Sequence, residues 1–359
     1  MVKPIYKVLV VGGGTMGADI AILCLQKGMP VVVKEVNAEL VERAKKTLRS
    51  HKLVQKGKIT EAQLAGVTVT DTYDGLDKEE GLLVIEAVPE VLSLKQKIFA
   101  ELEQHLPTDA IFTSNTSSLP IVELSAMMRD RSRLVGLHFF NPPTRMPLVE
   151  IIPSQFPPME IVETVFDFSL NTLGKVPICV SDRPGFLVNV LLFAYLVPAM
   201  RALEMMAVKP DDVDNEAKQF GWPMGPFFLM DVIGLDVCWE VAQVFDKAYG
   251  SRMSASRLLQ RLVELKRYGM KNGAGFYVYN GEAESLEAVL AREFPNRAAG
   301  DAKKVFNDMI ESFKVEAVLA LRENVATKEN IEKGCVFGLG FPAHLEGPLH
   351  LTGGYFDSW

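Results

Sequence analysis

Two groups of residues in this sequence have types and spacings suited to chemistry. The first is Gly12-x-Gly14-x-x-Gly17, which follows an apolar run and precedes a helical pattern. In such a turn the first glycine permits a tight bend, the second lets a pyrophosphate approach the backbone, and the third lets helix and strand pack closely. Free N–H groups at the helix start then hold the phosphates. The pattern predicts a dinucleotide site that includes Met16.

Glu35 is the acidic residue expected to complete this site. It ends the next apolar run, 18 residues after Gly17. A carboxylate at this position can accept both hydroxyl hydrogen bonds of an adenosine ribose and repels a 2′-phosphate. We therefore expect NAD rather than NADP, although the neighbouring Lys34 counters part of the negative charge. The alternative interpretation is a solvated surface glutamate.

The second group is His138 and Glu150. Among the five histidines, only His138 follows an apolar run, 134–137, and precedes two phenylalanines, at a predicted strand end where ligands bind in α/β sheets. A core histidine is the alternative. Glu150 lies twelve residues later in an apolar run, and a buried carboxylate requires a partner. If the two strands are neighbours, the carboxylate holds one ring nitrogen while the other takes a proton. Such a pair suits alcohol oxidation with hydride transfer to NAD.

Two other polar features lie in apolar surroundings. The segment 114–118, Ser-Asn-Thr-Ser-Ser, follows another predicted strand and offers hydroxyls and an amide. The alternative role for this segment is a helix cap before Leu119, most simply by Ser118. Asn189 lies in an otherwise apolar helical pattern, where polarity costs free energy unless it is bonded. A substrate contact and a backbone hydrogen bond both fit Asn189.

A sheet must position these residues, and the first half of the chain has the pattern of one. The predicted strands are 7–11, 31–33, 67–70, 82–85, 111–114, 134–137, 147–152 and 176–180. Predicted helices between the first of them cover 15–27 and 38–56. Alternating strands and helices predict a parallel sheet with helices on both faces. The predicted fold class is α/β, a Rossmann-type doubly wound sheet.

After residue 183 the composition changes to that of an all-helical region with an internal repeat. The pattern 208–214, followed by Gly-Trp-Pro at 221–223, recurs as 326–332, followed by Gly-Phe-Pro at 340–342. Because a Gly-Pro helix start follows in both copies, we predict two related helical units. The predicted domains are an NAD-binding domain at 1–183, a first helical unit at 184–281, a linker at 282–301 and a second, shortened helical unit at 302–359.

Composition excludes several classes of protein. With 48% hydrophobic and 23% charged residues, the 359-residue chain is predicted to be globular. Its net charge of −7 argues against nucleic-acid binding. The longest uncharged stretch, 184–200, contains Asn189 and Pro198, which favours a buried helix over a membrane span. Four widely spaced cysteines predict free thiols, no metal site and an intracellular location. The cytoplasm is favoured, and mitochondria or peroxisomes are also compatible.

Longer segments closely resemble the L-3-hydroxyacyl-CoA dehydrogenase family, and most closely the dehydrogenase half of the multifunctional fatty-acid oxidation α-subunit. The resemblance covers nearly the whole chain and rests on residues 12–17, 86–90, 114–118, 136–142, 146–150, 184–189, 219–226 and 271–277. It implies oxidation of L-3-hydroxyacyl-CoA by NAD in fatty-acid β-oxidation. His138 would be the base and Glu150 its orienting partner. Ser117 would donate near the 3-oxygen and Asn189 would contact the thioester side. Four residues match cofactor-contacting positions: Glu90, Lys95, Asn141 and Lys271.

The sequence is also compatible with other functions and with more than one assembly state. A dehydrogenase of a free hydroxy acid or sugar acid is the second hypothesis, and the superfamily also includes non-catalytic lens crystallins. The hydratase half of the multifunctional relatives does not precede this region, so hydration is not predicted. Because both helical copies are present, the segment 313–359 is expected to pack on the first copy and favour a monomer. Its early end leaves a homodimer open.

Overall fold

The computed structural model describes residues 2–254, 256–281 and 283–352, and the chain divides into two compact units. The first unit ends at Phe186 and the second begins at Leu187. The predicted second helical unit, 302–359, therefore lies partly outside the described residues, because 353–359 are not among them.

One eight-stranded sheet forms the centre of the first unit. Its strands are β1 (Lys7–Val11), β2 (Val31–Lys34), β3 (Val67–Thr70), β4 (Leu82–Glu86), β5 (Ile111–Ser114), β6 (Leu134–Phe139), β7 (Leu148–Pro153) and β8 (Val176–Cys179). The order is β3-β2-β1-β4-β5-β6-β7-β8, with β7 antiparallel to β6 and the other neighbours parallel. Because helices cover both faces, β4 is buried at every residue. The predicted doubly wound α/β fold is confirmed.

The helices of the first unit connect these strands. They are α1 (Thr15–Gln26), α2 (Ala38–Ser50), α3 (Lys52–Gln55), α4 (Glu61–Leu64), α5 (Leu92–His105), α6 (Ile121–Leu124) and α7 (Met159–Asp167). The prediction of one continuous helix over 38–56 is wrong. The backbone is extended at His51, with φ −61° and ψ 137°, and this residue separates α2 from α3. The His51 ring accepts the N–H of Leu53 at 3.2 Å and so starts a new helix, since local caps of this kind compete with helix continuation.

The second unit is helical, as predicted. Its helices are α8 (Val188–Met205), α9 (Pro210–Phe220), α10 (Pro226–Ile233), α11 (Leu235–Tyr249), α12 (Arg257–Glu264), α13 (Leu286–Glu293), α14 (Ala302–Arg322) and α15 (Lys328–Lys333). The stretch predicted as a linker holds α13 and the short strand β10 (Ala298–Ala299), which pairs with β9 (Met206–Ala207). By length and composition α8 could cross a membrane, but 67% of it is buried inside the protein, as in a core helix.

The two copies of the sequence repeat contact each other reciprocally in this unit. A Cβ added to Gly221 would lie 3.0 Å from Pro342, and one added to Gly340 would lie 3.1 Å from Pro223. Matching contacts in both directions are the signature of an approximate two-fold relation. Helix α14 packs along α8, so the second copy covers the apolar face of the first.

An acidic residue organises the Gly-Pro turn in both copies. In the first copy, Asp214 of α9 accepts the N–H groups of Phe227 and Phe228 at the start of α10, both at 2.9 Å. Glu332 of α15 takes the corresponding place in the second copy. A Cβ on Gly347 would lie only 1.4 Å from the Glu332 carboxylate, so a glycine is required there. Burial raises the pKa of Glu332 to about 7.

Candidate active site

The glycine turn between β1 and α1 leaves space for a ligand at Gly14 and is packed at its other glycines. Gly12 has φ +96°, and a Cβ there would lie 2.9 Å from the Ala87 carbonyl oxygen. A Cβ on Gly17 would lie 1.8 Å from the Gly12 oxygen, whereas one on Gly14 would meet nothing within 4 Å. No side chain caps α1, and no acidic residue lies in its first turn. The backbone N–H groups at the start of α1, beside the open position at Gly14, are therefore suited to bind a pyrophosphate, and Met16 lies in that first turn.

Glu35 lies beside this turn at the end of β2. Its carboxylate accepts the N–H of Gly13 at 2.6 Å, which places an acid next to the dinucleotide turn. The neighbouring Lys34 is buried, donates to the Glu35 carbonyl oxygen at 2.7 Å and lies 4.6 Å from the centre of the Tyr73 ring. The Lys34 charge is therefore directed onto a carbonyl and an aromatic face. The position of the Glu35 carboxylate, with the Lys34 ammonium bonded elsewhere, fits the predicted role of Glu35 in selecting NAD over NADP.

The antiparallel pairing of β6 and β7 brings His138 and Glu150 together. The two residues are directly opposite in the register, and Nδ1 of His138 lies 2.7 Å from Oε2 of Glu150. Glu150 is fully buried, and the His138 ring packs 4.7 Å from the Phe140 ring and 5.9 Å from the Phe186 ring, between centroids. A buried carboxylate on Nδ1 fixes the tautomer and leaves Nε2 for proton transfer.

Ser117 lies in a loop that is organised around the Glu90 carboxylate. Oε1 of Glu90 accepts the Thr116 hydroxyl at 2.6 Å and the N–H groups of Ser117 at 3.0 Å and Ser118 at 3.2 Å. Burial opposes ionisation of Glu90, but the Lys95 ammonium and these hydrogen bonds outweigh it and lower its pKa. The structure thus places Glu90, matched above to a cofactor contact, where it also fixes the Ser117 loop.

Glu86, to which the sequence analysis gives no role, bonds Ser114 at the start of the Ser117 loop and Lys95 beside it. At the end of β4, its buried carboxylate accepts the Lys95 ammonium at 2.6 Å, the Ser114 hydroxyl at 2.5 Å and the N–H of Val88 at 2.7 Å. Lys95 is itself almost fully buried and also lies 3.2 Å from Glu90. Lys95 therefore links two carboxylates at the strand ends. The sequence does contain a signal for this ion pair: a glutamate ends an apolar strand, and a lysine follows nine residues later.

Asn115 connects the Ser117 loop to the strand that carries His138. Its side-chain oxygen accepts the N–H of Phe139 at 2.8 Å, one residue after His138. Asn141, also matched to a cofactor contact, lies exposed in the loop that follows and precedes a cis peptide bond to Pro142. The strand ends of β4, β5 and β6 thus hold Glu86, Asn115 and His138 in one bonded region.

Two predicted site residues belong to the second unit. Asn189 is half-buried at the start of α8. Lys271 forms an ion pair with Asp236 of α11, and its ammonium lies 5.7 Å from the centre of the Tyr268 ring. Among the described residues, no cluster of three or more His, Cys, Asp or Glu side chains could hold a metal ion.

This fold and site define a class of protein. A Rossmann-type sheet with a dinucleotide turn and a buried His–carboxylate pair is the arrangement of a nicotinamide-dependent oxidoreductase. The sequence matches the NAD binding domain of 3-hydroxyacyl-CoA dehydrogenase over residues 7–183 and the C-terminal domain of 3-hydroxyacyl-CoA dehydrogenase over residues 185–279. The chain belongs to the 3-hydroxyacyl-CoA dehydrogenase family, as the resemblance predicted, and its cofactor is NAD.

Known proteins resemble the chain over most of its length. The fatty acid oxidation complex subunit alpha of Psychrobacter cryohalolentis is 34% identical over 366 residues, which cover 96% of this chain and 50% of that protein. The chain thus spans about half the length of this curated relative. The 3-hydroxybutyryl-CoA dehydrogenase structure from Escherichia coli K12 has a TM-score of 0.83 and 27% identity, covering 98% of this chain and 91% of its own. The (S)-3-hydroxybutyryl-CoA dehydrogenase of Ralstonia eutropha has a TM-score of 0.69 and 33% identity, covering 77% and 100%.

Proposed function

We propose that this chain oxidises L-3-hydroxyacyl-CoA to 3-ketoacyl-CoA with NAD, as a step of fatty-acid β-oxidation. The observation that carries the proposal is the buried 2.7 Å bond between His138 and Glu150 near the carboxyl end of β6. Membership of the family supports the reaction class. The names of two similar structures, both 3-hydroxybutyryl-CoA dehydrogenases, support a coenzyme A thioester as substrate.

In this proposal His138 is the general base. Its Nε2 takes the proton of the substrate 3-hydroxyl while Nδ1 stays bonded to Glu150. Glu150 keeps the ring in the required tautomer and stabilises the imidazolium that forms. The glycine turn and Glu35 would hold NAD, which would supply the acceptor for the hydride that leaves C3 of the substrate. In the reverse direction the imidazolium of His138 returns its proton to the ketone oxygen.

Other residues would orient the reactants. The Ser117 hydroxyl, in the loop fixed by Glu90, would donate to the 3-oxygen. The turn from Gly12 to Gly17 would hold the pyrophosphate, and Glu35 would hold the adenosine ribose. The family resemblance adds Asn189 on the thioester side. It also adds the proposed cofactor contacts Glu90, Lys95, Asn141 and Lys271.

Kinetic comparison of a thioester with its free acid tests this proposal. Oxidation of NADH, followed by its near-ultraviolet absorbance, should saturate with acetoacetyl-CoA and be far slower with acetoacetate. His138→Gln should abolish most of the turnover. Comparable kcat/KM with the free acid would favour a hydroxy-acid dehydrogenase, and no turnover of either compound would favour a non-catalytic relative. The ratio of kcat/KM for short-chain and long-chain thioesters then defines the preferred acyl chain.

A further inference from the structure

A pocket in the first unit gathers three cationic side chains. It has a volume of about 410 Å³ and lies between the end of α1, the loop that joins β6 to β7, and the residues before β8. Lys27, Arg145 and Lys175 line it, and none of the described residues that line it is acidic. The pocket shares no lining residue with the glycine turn or with the His138–Glu150 pair.

Two of these cations have no partner, and the third is partly engaged. Within the described part of the chain, the side chains of Lys27 and Arg145 make no hydrogen bond or ion pair. The Lys27 ammonium lies against Gly174, since a Cβ added there would be 3.0 Å from its nitrogen. Lys175 donates to the carbonyl oxygens of Pro143 and, at 2.6 Å, Met146. An ammonium has three N–H donors, so one donor of Lys175 remains for a ligand.

The electrostatic environment of Lys175 favours an added anion. Burial and the nearby Lys27 lower the pKa of Lys175 to about 8, against the opposing charge of Asp19 and a smaller opposing effect of the Cys24 thiol. Asp19 offsets part of this positive charge, and its carboxylate also accepts the N–H of Thr144 at 2.9 Å and lies 3.6 Å from the His51 ring. Three cations outnumber the single carboxylate of Asp19, so the electrostatic potential in the pocket is positive.

We propose that this pocket binds a phosphate-bearing ligand, whose phosphate is held by Lys27, Arg145 and the remaining donor of Lys175. Arginine and lysine are the side chains that proteins use to bind phosphate. The volume exceeds that of a single phosphate ion, so a phosphate ester fits. The phosphate belongs either to the coenzyme A part of the substrate, which rests on the proposed function, or to a separate phosphorylated compound.

The pocket is connected to the catalytic pair through the chain. Lys175 bonds the loop that runs from β6, which carries His138, to β7, which carries Glu150. A phosphate bound to Lys175 would therefore contact the side chain whose hydrogen bonds hold this loop in place. The proposal gives a functional reason for a buried lysine whose burial costs free energy.

A double substitution of the two exposed cations tests the proposal without disturbing the buried Lys175. The variant is Lys27→Gln with Arg145→Gln, and the matched control is Lys97→Gln with Arg129→Gln, which removes the same charge from exposed positions outside the pocket. Phosphorus NMR titration with inorganic phosphate is run on the NAD-loaded chain, so that the glycine turn is filled. KM is measured for acetoacetyl-CoA and for acetoacetyl-pantetheine, which has no phosphate.

The two sources of phosphate give different results. If the pocket binds coenzyme A, the double variant should raise KM for acetoacetyl-CoA about tenfold and leave KM for acetoacetyl-pantetheine unchanged. If it binds a separate phosphate ester, phosphate affinity should fall about tenfold with both KM values unchanged. In either case the control variant should match the wild type.

Two results would overturn the proposal. One is an unchanged phosphate affinity together with unchanged KM values. The other is an equal rise in KM for both thioesters, because the pantetheine ester offers no phosphate to lose. If the wild-type chain turned over neither thioester, the proposed function would fail, and the phosphate titration would still decide whether the pocket binds phosphate.

Discussion

Replacing Glu150 by glutamine isolates the part of catalysis that depends on its charge. The carboxylate lies 2.7 Å from the His138 ring and has no exposed surface, so water does not screen its bond to an imidazolium. Hydrogen bonds to charged groups contribute about 1.5–3 kcal/mol. Because about 1.4 kcal/mol corresponds to a factor of ten, kcat of Glu150→Gln should fall roughly 10- to 150-fold. His138→Gln removes the base itself and should lower kcat by roughly two to four orders of magnitude.

The double variant shows whether the two residues act as one unit. Its kcat should be no lower than that of His138→Gln alone, because Glu150 cannot orient an absent base. Initial rates of NADH formation at saturating substrate give kcat, and acyl-CoA should still bind to each variant. His105→Gln, the same substitution at an exposed histidine, is the control and should keep wild-type turnover. Fully additive losses would show that Glu150 has an independent task, and near wild-type turnover in His138→Gln would refute the mechanism.

The cofactor turn, the helical repeat and two buried ionisable groups each give a further expectation. Glu35→Ala should raise KM for NAD about tenfold or more, leave kcat nearly unchanged and narrow the preference over NADP; an unchanged preference in steady-state kinetics would place the selecting acid elsewhere. Deleting the residues after Gly300 removes α14 from α8, so sedimentation should show dimers or aggregates in place of the expected monomer; a soluble, unchanged monomer would contradict this. Since burial raises the pKa of Glu332 to about 7, above its unfolded value, its contribution to stability is full at low pH and is lost as pH rises through about 7. The Tm of Glu332→Gln relative to wild type should therefore be higher at about pH 8 than at about pH 5, and equal differences would contradict the shift. Because the pKa of Lys175 is lowered to about 8, phosphate affinity of its pocket should fall as pH rises through that value in the NMR titration, and a flat profile would remove Lys175 from the site.

Local patterns were enough to predict the strands and the dinucleotide turn. Runs rich in apolar or β-branched residues predict strands at 7–11, 67–70 and 111–114, and these coincide with β1, β3 and β5. The break at His51 was not predictable in the same way, because it depends on a side-chain cap rather than on apolar spacing.

Side-chain networks depend on which strand ends meet in space, and a single sequence does not contain that information. The His138–Glu150 contact was predicted only on the condition that their strands are neighbours, and the register of β6 and β7 supplies that condition. The sequence gives Glu86 no role, and it does not identify the partner of the Asn115 amide, because the residues that these two side chains bond are far away in the sequence. The roles of individual site residues, the monomeric state and the cytoplasmic location stay predictions.

The reciprocal contacts between Gly221 and Pro342 and between Gly340 and Pro223 have an evolutionary consequence. In a symmetric homodimer every substitution at the interface occurs twice, so both sides of the contact change together. When both copies lie in one chain, each can vary alone. Asp214 and Glu332 show the result, because two acids of different length organise equivalent turns. Gene duplication and fusion would thus free one copy to acquire new surface properties while the other keeps the sequence that catalysis requires.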